Sequence, residues 1–338
     1  MKHITLAAFA AGLGLTGAQA STVDMPFTSL VVFGDSLSDE GNLFDLTSAA
    51  EAAGATDSDG NPIVATPASP PYFDGRFSNG LVWAEIIDDF FPKSENFAFG
   101  GGQAATDGDG VPDFEAQRAL FNADPISSDL GSRPLAAIWL GANDLFASLP
   151  TGDPVVIGQS VTDAITQLSI GTTELRADFD DFLIFNLPDL GGTPAFAPFG
   201  PGPTIATDDF NAGLDSVITA LETSGANVTL IDINELFDDL VADPTAFGVS
   251  DATTPCLIPE FTDPGTGATV PASLCSPAES LERAFFDPVH PNFIIQSVIA
   301  DEVADALGLT PVPLPAGLPL LLAGLGSFAL LRRRWAIR

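Results

Sequence analysis

The sequence predicts an α/β fold in which a parallel sheet of about five strands is covered by helices. Short apolar segments, typical of buried strands, alternate along the chain with longer segments of helical periodicity. The third apolar segment, residues 135–140, contains no polar residue. Such a segment fits a parallel strand that is covered on both faces. These observations favour a doubly wound sheet, which we assign to one domain spanning residues 21–310.

Each element follows from a local pattern. Five apolar segments predict the strands, in chain order residues 29–33, 96–99, 135–140, 182–185 and 228–231. Apolar residues recurring every three to four positions predict the helices, which cover residues 83–90, 155–175 and 208–222. A last helix is predicted to open at Pro291, because proline suits a first helical turn. Residues 53–79 are rich in Gly, Pro, Ser and Asp and predict a long loop.

The chain is strongly acidic, with 45 Asp and Glu against 11 Lys and Arg and a net charge of −34. All the acids, but only six of the bases, lie within residues 21–310. Nucleic acid is excluded as a partner, because its binding depends on Lys and Arg that neutralise phosphates. No G-x-x-x-x-G-K occurs, which excludes a P-loop. His3 and His290 are the only histidines, so a multi-histidine metal site is excluded and we expect no cofactor.

The first twenty residues predict a secretory signal peptide. Lys2 and His3 precede an apolar segment, residues 4–15, and A-Q-A forms a small-x-small cleavage site before Ser21. We therefore expect export to the periplasm, the cell surface or the medium. A buried N-terminal helix is the alternative.

Residues 311–338 predict a second targeting element. The uncharged stretch 311–331 is about long enough to cross a bilayer, and the three arginines at 332–334 would stay cytoplasmic. The V-P-L-P-A at 312–316 resembles the VPLPA type of PEP-CTERM sorting signal. That resemblance implies an exosortase-like processing enzyme as a partner, and a plain membrane anchor is the alternative.

The chain has two cysteines, Cys256 and Cys275. In an exported chain they predict one disulfide that closes a loop rich in Pro, Gly and Thr. Such a closure stabilises a fold by about 3 kcal/mol through the unfolded state. Two free thiols are the alternative.

Candidate catalytic residues lie in turns after the strands, where open α/β sheets bind their ligands. Ser36 follows the first strand and is the candidate nucleophile. His290 is the one neutral-pH base of the mature chain, and Asp287 is the acid that would orient it. The backbone amides of Ser36 and Gly101 and the side chain of Asn143 are the candidate donors to an oxyanion.

Four segments in this order resemble the sequence blocks of the GDSL, or SGNH, esterase and lipase family: V-F-G-D-S-L-S-D-E-G-N at 32–42, N-F-A-F-G-G-G at 96–102, G-A-N-D at 141–144 and D-P-V-H-P at 287–291. Residues 76–80 and 186–194 resemble segments of the lipase-like branch. The resemblance implies a flavodoxin-like three-layer α/β/α sandwich and gives the candidate residues the same roles. In the second block, the spacing from Asn96 favours Gly101 over Gly100. No G-x-S-x-G elbow occurs, which argues against an ordinary α/β-hydrolase.

The sequence therefore predicts an exported serine ester hydrolase that acts through an acyl-enzyme, with an ester of a lipid or of an acylated carbohydrate as substrate. A carbohydrate O-acetyl esterase and a phospholipase are alternatives within the same chemistry. An alternative of another class is a surface or matrix protein with an inactive site, which the sorting tail motivates.

Overall fold

A computed structural model describes residues 26–57, 59–259, 261–262, 269–270 and 272–309. The predicted signal peptide, residues 1–20, and the predicted sorting tail, residues 311–338, lie outside these described residues. Across the described ranges, no helix has both the length and the apolar composition needed to cross a bilayer.

A five-stranded sheet forms the centre of the fold. Its strands are β1 (Ser29–Gly34), β2 (Ser94–Asn96), β3 (Pro134–Trp139), β4 (Asp181–Phe185) and β5 (Asn227–Ile231). They are ordered β2-β1-β3-β4-β5, and every neighbouring pair is parallel. Every residue of β1, β3 and β4 is buried, as expected of central parallel strands covered on both faces. The predicted parallel α/β sheet is confirmed.

Helices follow most of the strands. They are α1 (Asn42–Ala52), α2 (Trp83–Asp88), α3 (Phe114–Ala123), α4 (Ala142–Ser148), α5 (Pro154–Leu175), α6 (Gly202–Thr223), α7 (Ile233–Ala242), α8 (Pro277–Ser280) and α9 (Phe293–Ala306). Single 3-10 turns cover Pro125–Ser128, Leu149–Thr151, Leu190–Gly192, Ala197–Phe199 and Pro244–Phe247. Helix α5 packs against α3, α4 and α6, whereas α2 packs against α9.

Aromatic side chains show that the two helical layers lie on opposite faces of the sheet. Phe33 of β1 contacts Phe114 and Phe121 of α3, with ring centroids 5.9 and 5.8 Å away. Trp139 of β3 stacks on Phe185 at 4.8 Å, on the same side as α2. Phe33 pairs with Ile138, the residue before Trp139, and neighbouring residues of a strand point to opposite faces. The architecture is therefore a three-layer α/β/α sandwich.

Two short antiparallel pairs lie in the segment after α7. Strand β6 (Leu257–Ile258) pairs with β9 (Ser273–Leu274), and β7 (Phe261–Thr262) pairs with β8 (Thr269–Val270). A disulfide joins Cys256 to Cys275 next to the first of these pairs. The bond ties this segment back on itself ahead of α8.

Several boundaries differ from the sequence predictions. Strand β2 ends at Asn96 rather than spanning 96–99, although the amides of Phe97 and Phe99 still donate to carbonyls of β1. Helix α6 begins at Gly202, six residues before the predicted start. The last helix begins at Phe293 rather than Pro291, because the Asn292 side chain caps it by accepting from the Ile295 amide. The sequence patterns do not predict helices α1, α3, α4, α7 and α8.

The strand order places a crevice beside β1. The chain leaves β1 for β2 on one side and then crosses to β3 on the other, so the direction of winding reverses between β1 and β3. In such sheets, ligands bind outside the carboxyl ends of the strands at this switch point. Ser36 lies in the turn after β1, and Asn143 lies at the start of α4, directly after β3.

Gly141 is required where β3 turns into α4. Its φ is +127°, and a Cβ there would lie 2.2 Å from the ring of Phe210. We expect Gly141→Ala to lower the free energy of unfolding by about 3 kcal/mol or more, because backbone strain and overpacking add. Urea denaturation measures the change.

The matched control is Gly158→Ala in α5, where a Cβ meets no atom within 4 Å. We expect that variant to gain about 0.5–1 kcal/mol of stability, because alanine replaces glycine inside a helix. Equal stability of the two variants would contradict the packing described around Gly141.

Candidate active site

The turn that carries Ser36 is held by backbone hydrogen bonds. The carbonyl of Asp35 accepts from the amides of Ser38 and Asp39, each at 3.0 Å, which reverses the chain after β1. The Asp39 carboxylate accepts from four backbone amides, those of Gly41, Asn42, Leu43 and Gly100. Asp39 therefore caps the start of α1 and ties the serine turn to the glycine segment after β2.

Three candidate catalytic side chains meet above β1. The Oγ of Ser36 lies 2.7 Å from Nε2 of His290, and Nδ1 of His290 lies 2.7 Å from Oδ2 of Asp287. Because an ionised carboxylate only accepts, Nδ1 carries the proton and donates it to Asp287. Nε2 is then free to accept from the Ser36 hydroxyl. The structure thus aligns a hydroxyl, an imidazole and a carboxylate in hydrogen-bonding order.

The Asp287 carboxylate accepts from four donors. Oδ1 accepts from the amides of Val289 and His290 at 2.9 and 2.8 Å, and Oδ2 accepts from Tyr72 as well as from His290. Burial raises the pKa of Asp287, but the charge of His290 and the bonds from His290, Tyr72 and Val289 outweigh it and hold that pKa below its usual value. Asp287 is therefore a fixed, ionised carboxylate.

Tyr72 is a site residue that the sequence reasoning missed. Its hydroxyl donates to Oδ2 of Asp287 at 2.5 Å, and its ring packs edge-on against Phe286 and Phe77. Burial and the charge of Asp287 raise the pKa of Tyr72, so the hydroxyl keeps its proton and remains a donor. Tyr72 belongs to the long segment predicted as a loop. The available signal was that it is the one tyrosine of the chain, four residues before the R-F-S-N-G segment.

The candidate oxyanion donors flank Ser36. Among the three glycines after β2, Gly100 donates its amide to Asp39 and Gly102 donates to the Phe99 carbonyl. Within the described residues, the amides of Gly101 and Ser36 donate to no acceptor. The φ of +85° at Gly101 suits glycine in this turn. Of the two glycines that the sequence left open, Gly101 is the one whose amide is available.

Asn143 supplies a side-chain donor from the start of α4, directly after β3. Its Nδ2 donates one hydrogen to the Gly102 carbonyl at 3.0 Å, which fixes the amide and leaves its second N–H available. Its neighbour Asp144 accepts from the amides of Ala104 and Ala105, and burial raises the pKa of Asp144 to about 6 despite these bonds. Asp144 therefore links the start of α4, which carries Asn143, to the segment that follows the glycines after β2.

Asp35 is a buried carboxyl beside the candidate nucleophile. Oδ1 accepts from the Leu37 amide, whereas Oδ2 has no partner among the described residues. Burial raises the pKa of Asp35 to about 7, against the opposing effects of the Leu37 amide and the charge of His290. The carboxyl of Asp35, the residue before Ser36, therefore takes up a proton close to neutral pH.

The pocket above these residues is mostly apolar. Its lining includes Leu37, Asn143, Phe146, Pro188, Leu190, Thr193, Phe237 and Val289, together with Ser36 and His290. Behind it, Cys256 packs with Phe286 and Tyr72, so the disulfide supports the segment that holds Asp287. In the described part of the chain, no three His, Cys, Asp or Glu side chains are grouped to hold a metal ion.

The hydrogen-bonded serine, histidine and aspartate at the carboxyl edge of the sheet place the protein in the class of serine hydrolases. Residues 30–303 match the family described as GDSL-like Lipase/Acylhydrolase. The match spans most of the chain, so the protein belongs to this family and is an ester-hydrolysing serine hydrolase. The family predicted from the four sequence blocks is confirmed.

Relatives of the chain include an acyltransferase and an acetylesterase. A phosphatidylcholine-sterol acyltransferase of Aeromonas hydrophila is 28% identical over 256 residues, 72% of this chain and 70% of that protein. An acetylesterase of Thermothelomyces thermophilus is 25% identical over 327 residues, 89% of this chain and 95% of that protein. Among solved structures, an acetylxylan esterase of Geobacillus stearothermophilus is 11% identical with a TM-score of 0.43, covering 84% of this chain and 95% of that one.

Proposed function

We propose that this chain is an exported enzyme that hydrolyses carboxylic esters through a covalent acyl-enzyme on Ser36. The observation that carries the proposal is the pair of 2.7 Å hydrogen bonds from Ser36 to His290 and from His290 to Asp287. A serine hydroxyl needs an adjacent base to become a nucleophile, and that base needs an acid to orient it.

In the first step, Ser36 attacks the ester carbonyl carbon while Nε2 of His290 takes the hydroxyl proton. Asp287 holds the imidazole in the required tautomer and stabilises the cation that forms. The C–O bond to the alcohol then breaks, and His290 returns its proton to the leaving alcohol. Water attacks the acyl-enzyme in the same way, so that the carboxylic acid leaves and Ser36 regains its hydrogen.

The negative charge that develops on the carbonyl oxygen requires donors fixed in advance. The proposed donors are the amides of Ser36 and Gly101 and the remaining N–H of Asn143. Donors that are fixed before the reaction stabilise this charge without rearrangement, and removing one such donor costs about a hundredfold to a thousandfold in rate. The Gly102 carbonyl holds Asn143 in place for this role.

The substrate class of the proposal is an ester of a lipid or of an acylated carbohydrate. The names of the relatives support both, since one is an acetylesterase and another is a phosphatidylcholine-sterol acyltransferase. Substrates of both classes contain the same reacting group, the ester carbonyl that Ser36 would attack. They differ in the alcohol and acyl groups attached to that carbonyl.

The proposal includes export of the catalytic domain, residues 21–310. Residues 1–20 would be removed as a signal peptide, and residues 311–338 would anchor the protein in a membrane or be processed by an exosortase-like enzyme. The Cys256–Cys275 disulfide supports an oxidising location. Intact mass measurement of the protein from its native host tests both ends, and a mass equal to that of the full chain would contradict the processing.

Hydrolysis of p-nitrophenyl butyrate at pH 8 tests the proposed activity. We expect steady release of p-nitrophenolate by the wild-type protein without added metal or cofactor. A folded protein that gives no turnover on butyrate or acetate esters would overturn the proposal and favour an inactive surface protein.

Removing the Tyr72 hydroxyl should change the pH dependence of the reaction. In Tyr72→Phe the ring packing remains, but Asp287 loses one of the bonds that lower its pKa, so that pKa rises. We expect kcat to fall about tenfold with little change in KM, because a hydrogen bond to a charged group is lost. Activity should also be lost at a higher pH on acidification, which a pH profile of kcat/KM measures.

Ser69→Ala is the matched control for this prediction. Its hydroxyl donates to the Tyr72 carbonyl at 2.9 Å, so its loss perturbs the same loop without removing a donor to Asp287. We expect that control to keep the wild-type pH profile. A shift of equal size in both variants would show that the loop, and not the hydroxyl, is responsible.

A further inference from the structure

The imidazole of His290 packs against the ring of Phe77. The two ring centroids lie 5.1 Å apart, and the ring planes differ by 39°. Both nitrogens of the imidazole lie on its edge, where they bond to Ser36 and Asp287. The faces of the imidazole are therefore left for packing, and a phenyl ring at this distance and angle covers part of one face. Phe77 thus contacts the catalytic base without taking part in its hydrogen bonds.

Neighbouring residues tie this phenyl ring to the segment that carries His290. The hydroxyl of Ser78, which is fully buried, donates to the Pro291 carbonyl at 3.0 Å. The side chain of Asn79 accepts from the Phe293 amide at 2.7 Å. Both bonds connect residues that directly follow the phenylalanine to residues that follow the histidine, so the two rings keep a fixed relation.

The Phe77 ring also lies against the glycine segment after β2. A Cβ at Gly100 would lie 2.1 Å from this ring, so a glycine is required there. Gly100 directly precedes Gly101, whose amide is a proposed oxyanion donor. Tyr72 packs its ring edge-on against Phe77, with centroids 5.9 Å apart. Phe77 therefore contacts the base, the glycine segment and the tyrosine that donates to Asp287.

The charge that forms on His290 gives this contact an energetic role. In the proposed mechanism His290 becomes a cation twice per turnover, when it takes a proton from Ser36 and when it takes one from water. The carboxyl groups whose charges act on the imidazole are those of Asp287 and Asp35. The negative face of an aromatic ring attracts a cation within about 6 Å of its centroid, whereas a neutral imidazole gains little. An attraction that acts mainly on the charged form lowers the barrier to acyl transfer.

We propose that Phe77 is a positioning residue of this enzyme, which holds the plane of the His290 ring and stabilises its charged form while Ser36 is acylated and deacylated. The inference rests on the function proposed above and adds a residue that acts through the base and not on the substrate. An aliphatic side chain of similar size would fill much of the same space but would lack the negative face.

Phe77→Leu tests this role with p-nitrophenyl butyrate as the substrate. We expect kcat to fall about tenfold and KM to change less than about twofold, because the lost attraction acts on the charged base and not on the bound ester. Phe73→Leu is the matched control, since Phe73 lies in the same segment and is 40% exposed, and it should keep the wild-type kcat. Equal losses in the two variants would overturn the role of Phe77 and leave the proposed esterase intact. Absence of turnover in the wild-type protein would overturn both.

The pH dependence separates charge stabilisation from a packing defect. Without Phe77 the charged imidazole is less stable relative to the neutral one, so the enzyme should stay active to a lower pH. We expect the acidic limb of kcat/KM to move down by up to about one pH unit in Phe77→Leu, opposite to the shift expected of Tyr72→Phe. A packing defect alone would lower the rate at every pH. An unmoved limb, or a limb at higher pH, would overturn the inference.

A ring-fluorinated phenylalanine in place of Phe77 guards against a folding defect in the leucine variant. Fluorine withdraws electrons from the face of the ring, while the shape of the side chain changes little. We expect this protein to unfold at the wild-type urea concentration and to lose about threefold in kcat, with the acidic limb again moved down. Wild-type kcat together with an unmoved limb in the fluorinated protein would overturn the inference.

Discussion

Ser36→Ala should reduce ester hydrolysis by about a million-fold while the fold persists. Members of a hydrogen-bonded serine and histidine pair act as a unit, so losing the nucleophile costs nearly the whole covalent pathway. The remaining rate reflects oxyanion donors that act on water attack alone. Measurement of kcat on p-nitrophenyl butyrate, after removal of any contaminating esterase, gives the magnitude.

The fold should tolerate this change because the Ser36 hydroxyl bonds only to His290 among the described residues. The turn itself depends on the Asp35 carbonyl and on the Asp39 carboxylate. A matched control is Ser38→Ala. Ser38 lies in the same turn as Ser36, and its hydroxyl accepts from Nε1 of Trp83. That control should lose stability but retain turnover, whereas wild-type turnover in Ser36→Ala would refute the nucleophile.

Asp287→Asn should lower kcat by about ten-thousandfold, the size found when such an acid is replaced by its amide. The structure gives the reason. The backbone amides of Val289 and His290 donate to Oδ1, so the amide oxygen of asparagine takes that position and its NH₂ faces His290. An NH₂ that donates to Nδ1 forces the imidazole proton onto Nε2. The base then points a hydrogen at Ser36 and cannot accept one.

Tyr72 provides a way to separate this tautomer effect from a loss of packing. Its hydroxyl can reverse and accept from the new amide, so Asp287→Asn should unfold at nearly the wild-type urea concentration. Asp287→Ala removes both carboxylate oxygens, which together accept from four donors, and this variant should be less stable than the wild-type protein. If Asp287→Asn retained more than a tenth of wild-type kcat, Asp287 would not be the orienting acid.

Local patterns were enough to predict the sheet and the three candidate catalytic side chains. Strands such as β3 are apolar throughout because both faces are covered, and that pattern is visible in residues 135–140. Ser36, Asp287 and His290 each lie in a short segment that resembles a family block. Their meeting at 2.7 Å depends on the parallel order of the strands, which follows from the alternation of strands and helices.

Other features depend on contacts between distant segments and leave no local pattern. Tyr72 donates to Asp287 across 215 positions of the chain, from a segment whose composition predicts only a loop. The sequence predicts a turn where α4 begins, because the first residues of that helix belong to the G-A-N-D block. The sequence predicts strand β2 too late in the chain, because the three residues of that strand are polar or charged and the apolar residues follow them.

The most direct test of this account is to find the residue that reacts with a fluorophosphonate ester. Such a reagent phosphonylates a serine only where a base removes its proton and donors stabilise the charged oxygen. After proteolysis and tandem mass spectrometry, the account predicts stoichiometric modification of Ser36 in the wild-type protein and none in Asp287→Asn over the same time. Modification of another residue, or an unlabelled protein that still hydrolyses esters, would contradict it.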